Sequence, residues 1–129
     1  MTPALEQLVA LMVRNSADVL RESAGDMSPA IMLSKKLPKV AAVSVVDYRP
    51  LIDAVRMARE TAHAVGKDLA GYVVAWDGYV HIDEARTEAI LMEAWEATAE
   101  KRVLLAQRYR RKPFELVGPV ISVDELINL

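Results

Sequence analysis

The chain has 129 residues, 53% of them hydrophobic, with 16 lysines and arginines against 18 aspartates and glutamates, for a net charge of -2. That length suits one domain, 1–129, able to bury roughly two thirds of its unfolded surface without staples, and the charge excludes a global attraction to nucleic acid or to an anionic membrane. Having no cysteine, it excludes disulfides, thiolate metal sites and cysteine nucleophiles together.

The N-terminal stretch MTPALEQLVALMVRNSADVL is apolar, but Glu6, Arg14 and Asp18 interrupt it, and neither a basic start nor a small-residue cleavage site marks a targeting peptide. Thr2 followed by Pro3 is a helix start. Leu5, Leu8, Val9, Met12, Ser16, Val19 and Leu20 recur at helical spacing until Gly25 stops the run, with Asn15 and Ser16 as the possible break. No stretch reaches the roughly 20 apolar residues of a membrane span. The expectation is a soluble, cytoplasmic protein with no membrane partner.

Two short valine-rich or branched runs follow, Ala30 to Ser34 and Val40 to Val46, around Lys35, Lys36, Pro38 and Lys39. They predict a β-hairpin whose lysines solvate the turn and discourage edge aggregation rather than bind phosphate. From Asp47 a second helix is expected, with Pro50 in its first turn, a stripe of Leu51, Val55, Ala58, Ala62 and Val65, and a stop at Gly66. Its opposite side carries Arg56, Arg59, Glu60 and His63, a solvated face. AGYVVAWDGYVHID then predicts strand, with Asp77-Gly78 marking a turn or bulge. The C-terminal PFELVGPVISVDELINL is split by Gly118-Pro119, and Ser122 precedes Glu125 at capping-box spacing. A closing helix and an extended edge both fit 113–129.

The region from Asp83 to Lys112 is ambiguous. Its composition favours a single helix, but one of about thirty residues exceeds the usual length in a globular domain. At a spacing of four Glu84 meets Glu88, Glu96 meets Glu100 and Arg108 meets Lys112, all like charges with no opposite pair at that spacing to offset them. Folded at Ala97 to Lys101, the same residues place Glu96 opposite Arg102, Met92 opposite Ala106 and Glu88 opposite Arg110, with Arg108 and Arg110 on one face and Tyr109 and Arg111 on the other. The charges favour the hairpin.

The combination DGYVHIDEARTEAILMEA, a turn, then LLAQRY resembles a set of small uncharacterised bacterial proteins in which a strand reading Arg-x-Asp-Ala-Ile-x-x-Glu precedes another ending in a polar-aromatic pair. This sequence differs in carrying Glu88 where aspartate is common, and Ala97-Thr98-Ala99 where the turn usually holds glycine or aspartate. The resemblance implies helix, hairpin, helix and then a strand meander, and carries no activity with it. Together these readings give an α+β domain: an N-terminal helix, a β-hairpin, a second helix and an antiparallel strand meander, with both helices packed on the sheet.

For chemistry, the five glycines are scattered and form no phosphate-cradling loop. His63 and His81 lack partners at helical zinc-ligand spacing, so no catalytic, cofactor or metal residue is assigned and no cofactor is expected. The densest polar group comprises Asp77, His81, Asp83, Glu84 and Arg86; with Trp76 and Tyr79 it could line a cleft for a small molecule or an enzyme's substrate. Arg108 to Lys112, including Arg110, is the best nucleic-acid signal, weakened if the preceding acids neutralise it. The high apolar content favours a non-enzymatic interaction or assembly module, most simply a homodimer, with an unknown protein partner.

Overall fold

The structure, a computed structural model, describes residues 1–23, 27–45, 56–58, 60–61, 64, 68–99 and 102–123. Helix α1 spans Pro3–Glu22. Thr2 caps it, its Oγ accepting from the Leu5 amide at 3.2 Å. The helix runs unbroken through Asn15 and Ser16, because Ser16 lies buried on the inner face instead of competing for backbone groups in solvent. Its end comes before Gly25: the amide and the hydroxyl of Ser23 both donate to the Val19 carbonyl, at 2.8 and 2.7 Å, which satisfies the last turn locally.

Strands β1 (Ala30–Ser34) and β2 (Ala42–Val45) form the expected first hairpin, paired from Ala30 with Val45 to Leu33 with Ala42. Lys35, Lys36 and Lys39 are exposed at its turn. A second helical segment follows. Residues 56–58, 60, 61 and 64 are helical there, and the remainder of the expected helix, with Pro50, His63 and Gly66, lies outside the described residues.

The chain then returns as β3 (Gly71–Ile82) beside β1, and continues as β4 (Ala85–Glu96), β5 (Val103–Arg110), β6 (Glu115–Leu116) and β7 (Ile121–Ser122). The sheet is antiparallel and seven-stranded, in the order β2-β1-β3-β4-β5, with β6 and β7 both pairing with β5. Asp83 to Lys112 is therefore two strands, not one helix. Cross-strand pairing overrides the helical propensity of its alanines and glutamates. The C-terminal segment is extended to Val123, and 124–129, with Glu125 of the expected capping box, lie outside the described residues.

Alternation along the strands sorts the core into two layers. Val73 and Ala75 of β3, Ile90, Met92 and Ala94 of β4, and Leu105 and Tyr109 of β5 pack with Leu5, Leu8, Val9, Met12 and Val13 of α1. On the other face Tyr72, Val74, Trp76 and Val80 gather with Leu91, Ala106, Val123 and Ala58 of the second helical segment.

Two expectations are corrected. Asp77-Gly78 is neither turn nor bulge, since β3 pairs with β4 without interruption from Gly71 with Glu96 to Ile82 with Ala85. The turn is Asp83-Glu84, both with positive φ (51° and 65°), as a tight two-residue hairpin loop requires. Leu91 lies across Gly78, and a Cβ there would sit 2.7 Å from Leu91 Cδ1, so that side chain would have to shift. The second correction is register. Ala94 pairs with Val103, Met92 with Leu105 and Ala89 with Arg108, one residue from the expected Met92–Ala106 alignment. A one-residue shift moves every β5 side chain to the other face relative to β4.

Glu96 fixes α1 on this sheet. Its carboxylate accepts from the Thr2 amide at 3.0 Å and from the Thr2 hydroxyl at 2.8 Å, so helix cap and strand end share one clamp. Burial raises the Glu96 pKa, but the two Thr2 bonds, the nearby N-terminal charge and the Thr98 hydroxyl together hold the carboxyl below its ordinary value. A depressed carboxyl stabilises the fold above its unfolded pKa and loses that contribution as pH falls through the folded value. Glu96→Gln is therefore expected to lower stability by about 1.5–3 kcal/mol at neutral pH, a gap that closes in acid; denaturant unfolding at the two pH values measures it.

Candidate functional site

The sheet extends past α1. The helix begins at the Glu96 end and finishes where Arg21 lies over Phe114, at 5.2 Å, while Phe114 stacks on Tyr109 at 5.3 Å. Beyond that point the long β3–β4 hairpin continues, and alternation places Asp77, Tyr79 and His81 on the α1 face, opposite Ile90, Glu88 and Arg86.

Of the sequence-nominated residues, the structure gathers some and separates others. Trp76 points to the other face, 2% exposed, and its indole N–H has no acceptor among the described residues. It therefore cannot share a cleft with Asp77, Tyr79 and His81. Tyr79 is 44% exposed and carries the Arg86 guanidinium over its ring at 3.7 Å. His81 is exposed, as is Asp83 in the turn. Among the described residues no group of three or more histidine, aspartate or glutamate side chains could hold a metal ion.

Asp77 instead joins a network that the expected register could not reveal. Tyr109 donates its hydroxyl hydrogen to Asp77 at 2.5 Å, and Arg111 donates to the Tyr109 oxygen at 2.9 Å and to Glu88 at 2.8 Å. Arg111 also lies 3.6 Å from the second Asp77 oxygen. Its bond to Glu88 raises the already high arginine pKa further. Three strands are thereby tied together at the foot of α1. The corrected register sends Arg111, not Arg110, to Glu88, while Arg110 pairs with Glu115 of β6. Arg108 faces the opposite side, its Nε buried and its guanidinium laid against Gly118. Of the bases in RYRRK, then, two are held by carboxylates and a third lies along backbone.

A second network went unread in the sequence. Tyr72 bridges Glu93 and Arg102, donating to the carboxylate at 3.2 Å and accepting from Arg102 Nε at 3.1 Å, while its ring stacks on Trp95 at 5.5 Å. Glu93 is only 1% exposed, and β3–β4 register alone brings it beside Tyr72 and Val74.

Asp77 and Glu88 of the hairpin are thus engaged by Tyr109 and Arg111, and among the described residues an open strand edge lies elsewhere, at β2. Among the described residues no strand pairs with its outer side. Val43 and Val45 are 52% and 65% exposed, and the strand, Ala-Val-Ser-Val, carries no charge. A bare edge of this kind is a template for strand addition. The opposite edge is different: β6 and β7 are two residues each, separated by Gly118 (φ 69°) and Pro119, and a prolyl ring offers no amide hydrogen for pairing. The uncharged run AAVSVV was the available signal for the β2 edge.

Comparison of the chain with protein-family models, curated proteins and solved structures gave no match. No helix among the described residues is long and apolar enough to cross a membrane.

The two networked tyrosines supply a test. Burial first and the Asp77 carboxylate second raise Tyr109 well above the ordinary tyrosine value of 10.0. Tyr72 is pushed up to about 12, by burial and then by Glu93. A raised phenol stabilises the fold fully below the unfolded value and loses that contribution as pH climbs through the folded one. Tyrosinate absorbance should therefore show two tyrosines ionising late, together with loss of the fold. Tyr109→Phe is expected to cost about 1–3 kcal/mol at neutral pH by removing the hydroxyl bond to Asp77, measured by denaturant unfolding.

Proposed function

We propose that this chain is a non-enzymatic cytoplasmic assembly module that takes up a protein strand along the outer side of β2. The observation that carries this reading is the contrast between the sheet's edges: β2 is uncharged, valine-bearing and open among the described residues, whereas the β5 side is closed by two short strands around a Gly-Pro step. Strand addition draws affinity from main-chain hydrogen bonds and specificity from alternate side chains. β2 offers both, through its unpaired outer backbone and through Val43 and Val45. An acid-base enzyme, by contrast, would need a carboxylate or histidine aimed at a reacting group in a pocket. Here Asp77 and Glu88 are engaged by Tyr109 and Arg111, and Trp76 is turned away from them.

Nucleic-acid binding finds less support, because counterion release needs positive charge that is not already neutralised. Arg110 and Arg111 are each within a salt bridge.

The test is substitution of the edge. Val43→Lys with Val45→Lys adds charge at two exposed positions, a device by which natural edge strands prevent pairing. Melting temperature should change little, since surface substitutions of this kind lie within about 0.5 kcal/mol. Affinity capture from the native host, compared between wild type and the double variant, should lose the associated protein; an unchanged set of associated proteins defeats the proposal.

A further inference from the structure

We infer that the strand taken up by β2 is β2 of a second copy of this chain, paired antiparallel across a two-fold axis that stands perpendicular to the sheet at Ser44. This rests on the strand-addition reading above and names its partner.

The face on which the valines stand comes from the β1–β2 register. Val43 opposes Met32 and Val45 opposes Ala30, and both partners belong to the core layer beneath α1. Directly opposed residues of neighbouring antiparallel strands share a face. A two-fold axis normal to the sheet keeps α1 of both copies on one side, so the valines of both copies stand on that side as well. With the axis at Ser44, Val43 opposes the partner's Val45, and Val45 opposes the partner's Val43. Centring it at Val43 would set Val45 against the partner's Ala41, so only the Ser44 register pairs both valines with valines. Such β-branched cross-strand pairs stabilise antiparallel sheet.

Charge agrees with the same symmetry. Within β2 there is no ionisable residue, so antiparallel self-pairing opposes no like charges. A two-fold interface also uses one patch twice, so no second complementary surface is needed.

Sedimentation of the full chain at micromolar concentration should give twice the chain mass of 14.3 kDa, and Val43→Lys with Val45→Lys should give the single mass while staying folded, with a melting temperature that no longer depends on concentration. Because the chain has no cysteine, single cysteines report the register. Ser44→Cys should form a disulfide-linked dimer on mild oxidation. Val43→Cys and Val45→Cys should each cross-link poorly alone and readily when mixed. A dimer that survives the lysine variant, or that cross-links without regard to these positions, overturns the inference. A monomeric wild type also overturns it: if capture from the host still loses a protein in the lysine variant, strand addition stands with a different partner, and if capture is unchanged both readings fall.

Discussion

Twelve consecutive residue pairs join β3 to β4, from Gly71 with Glu96 to Ile82 with Ala85, closed by the Asp83-Glu84 turn, and every other element takes its place from them. The pairing decides which of two buried layers each side chain enters, because neighbouring residues of a strand face opposite ways. Val73 and Ala75 receive α1, while Tyr72, Val74 and Trp76 receive Ala58 of the second helical segment. A slip of one residue here would put Tyr72 and Glu93 on opposite faces or detach Glu96 from Thr2, according to which strand turned over. The tight two-residue turn is thus as important to the fold as the apolar content of the strands it joins, since in hairpins turn geometry sets register.

The charged residues follow from that register. Asp77 and Glu88 come from the paired strands, and β5 brings Tyr109 and Arg111 to meet them. What reads in one dimension as an acidic stretch followed by a basic one becomes a cross-strand arrangement in which the two signs cancel. The polar cluster therefore serves cohesion at the end of α1, where the apolar layer thins out, and among the described residues the open margin of the sheet is β2.

Much of this architecture was legible in the sequence. The Thr2-Pro3 start, the helical spacing of α1, the two runs of the first hairpin and the like-charge spacings that argue against a long helix all report local physics, and each corresponds to an observed element. The misreadings occurred where long-range packing decides. Asp77-Gly78 looks like a turn by local preference, yet its glycine lies against Leu91 from the neighbouring strand, and the true turn places a glutamate at positive φ without any glycine. The β4–β5 register was displaced by one because charge matching weighed Glu88 against Arg110, while the hydroxyl of Tyr109, which helps hold Arg111, gave no periodic signal. Of the candidate site, composition marked the residues of the hairpin but could not tell that Trp76 leaves their face, or that the uncharged β2 run would lie at an edge.

The different closure of the sheet's two margins sets a limit on growth. A protein with two open margins could add copies on either side without end and lengthen into a fibre. Among the described residues the β5 margin carries the Gly118-Pro119 step and two-residue strands, so a copy joined through β2 as proposed would offer no long open strand there. Under the proposed pairing, addition at β2 would end with the first partner, and the same valines that would be an aggregation hazard on a two-edged sheet would form a finite particle.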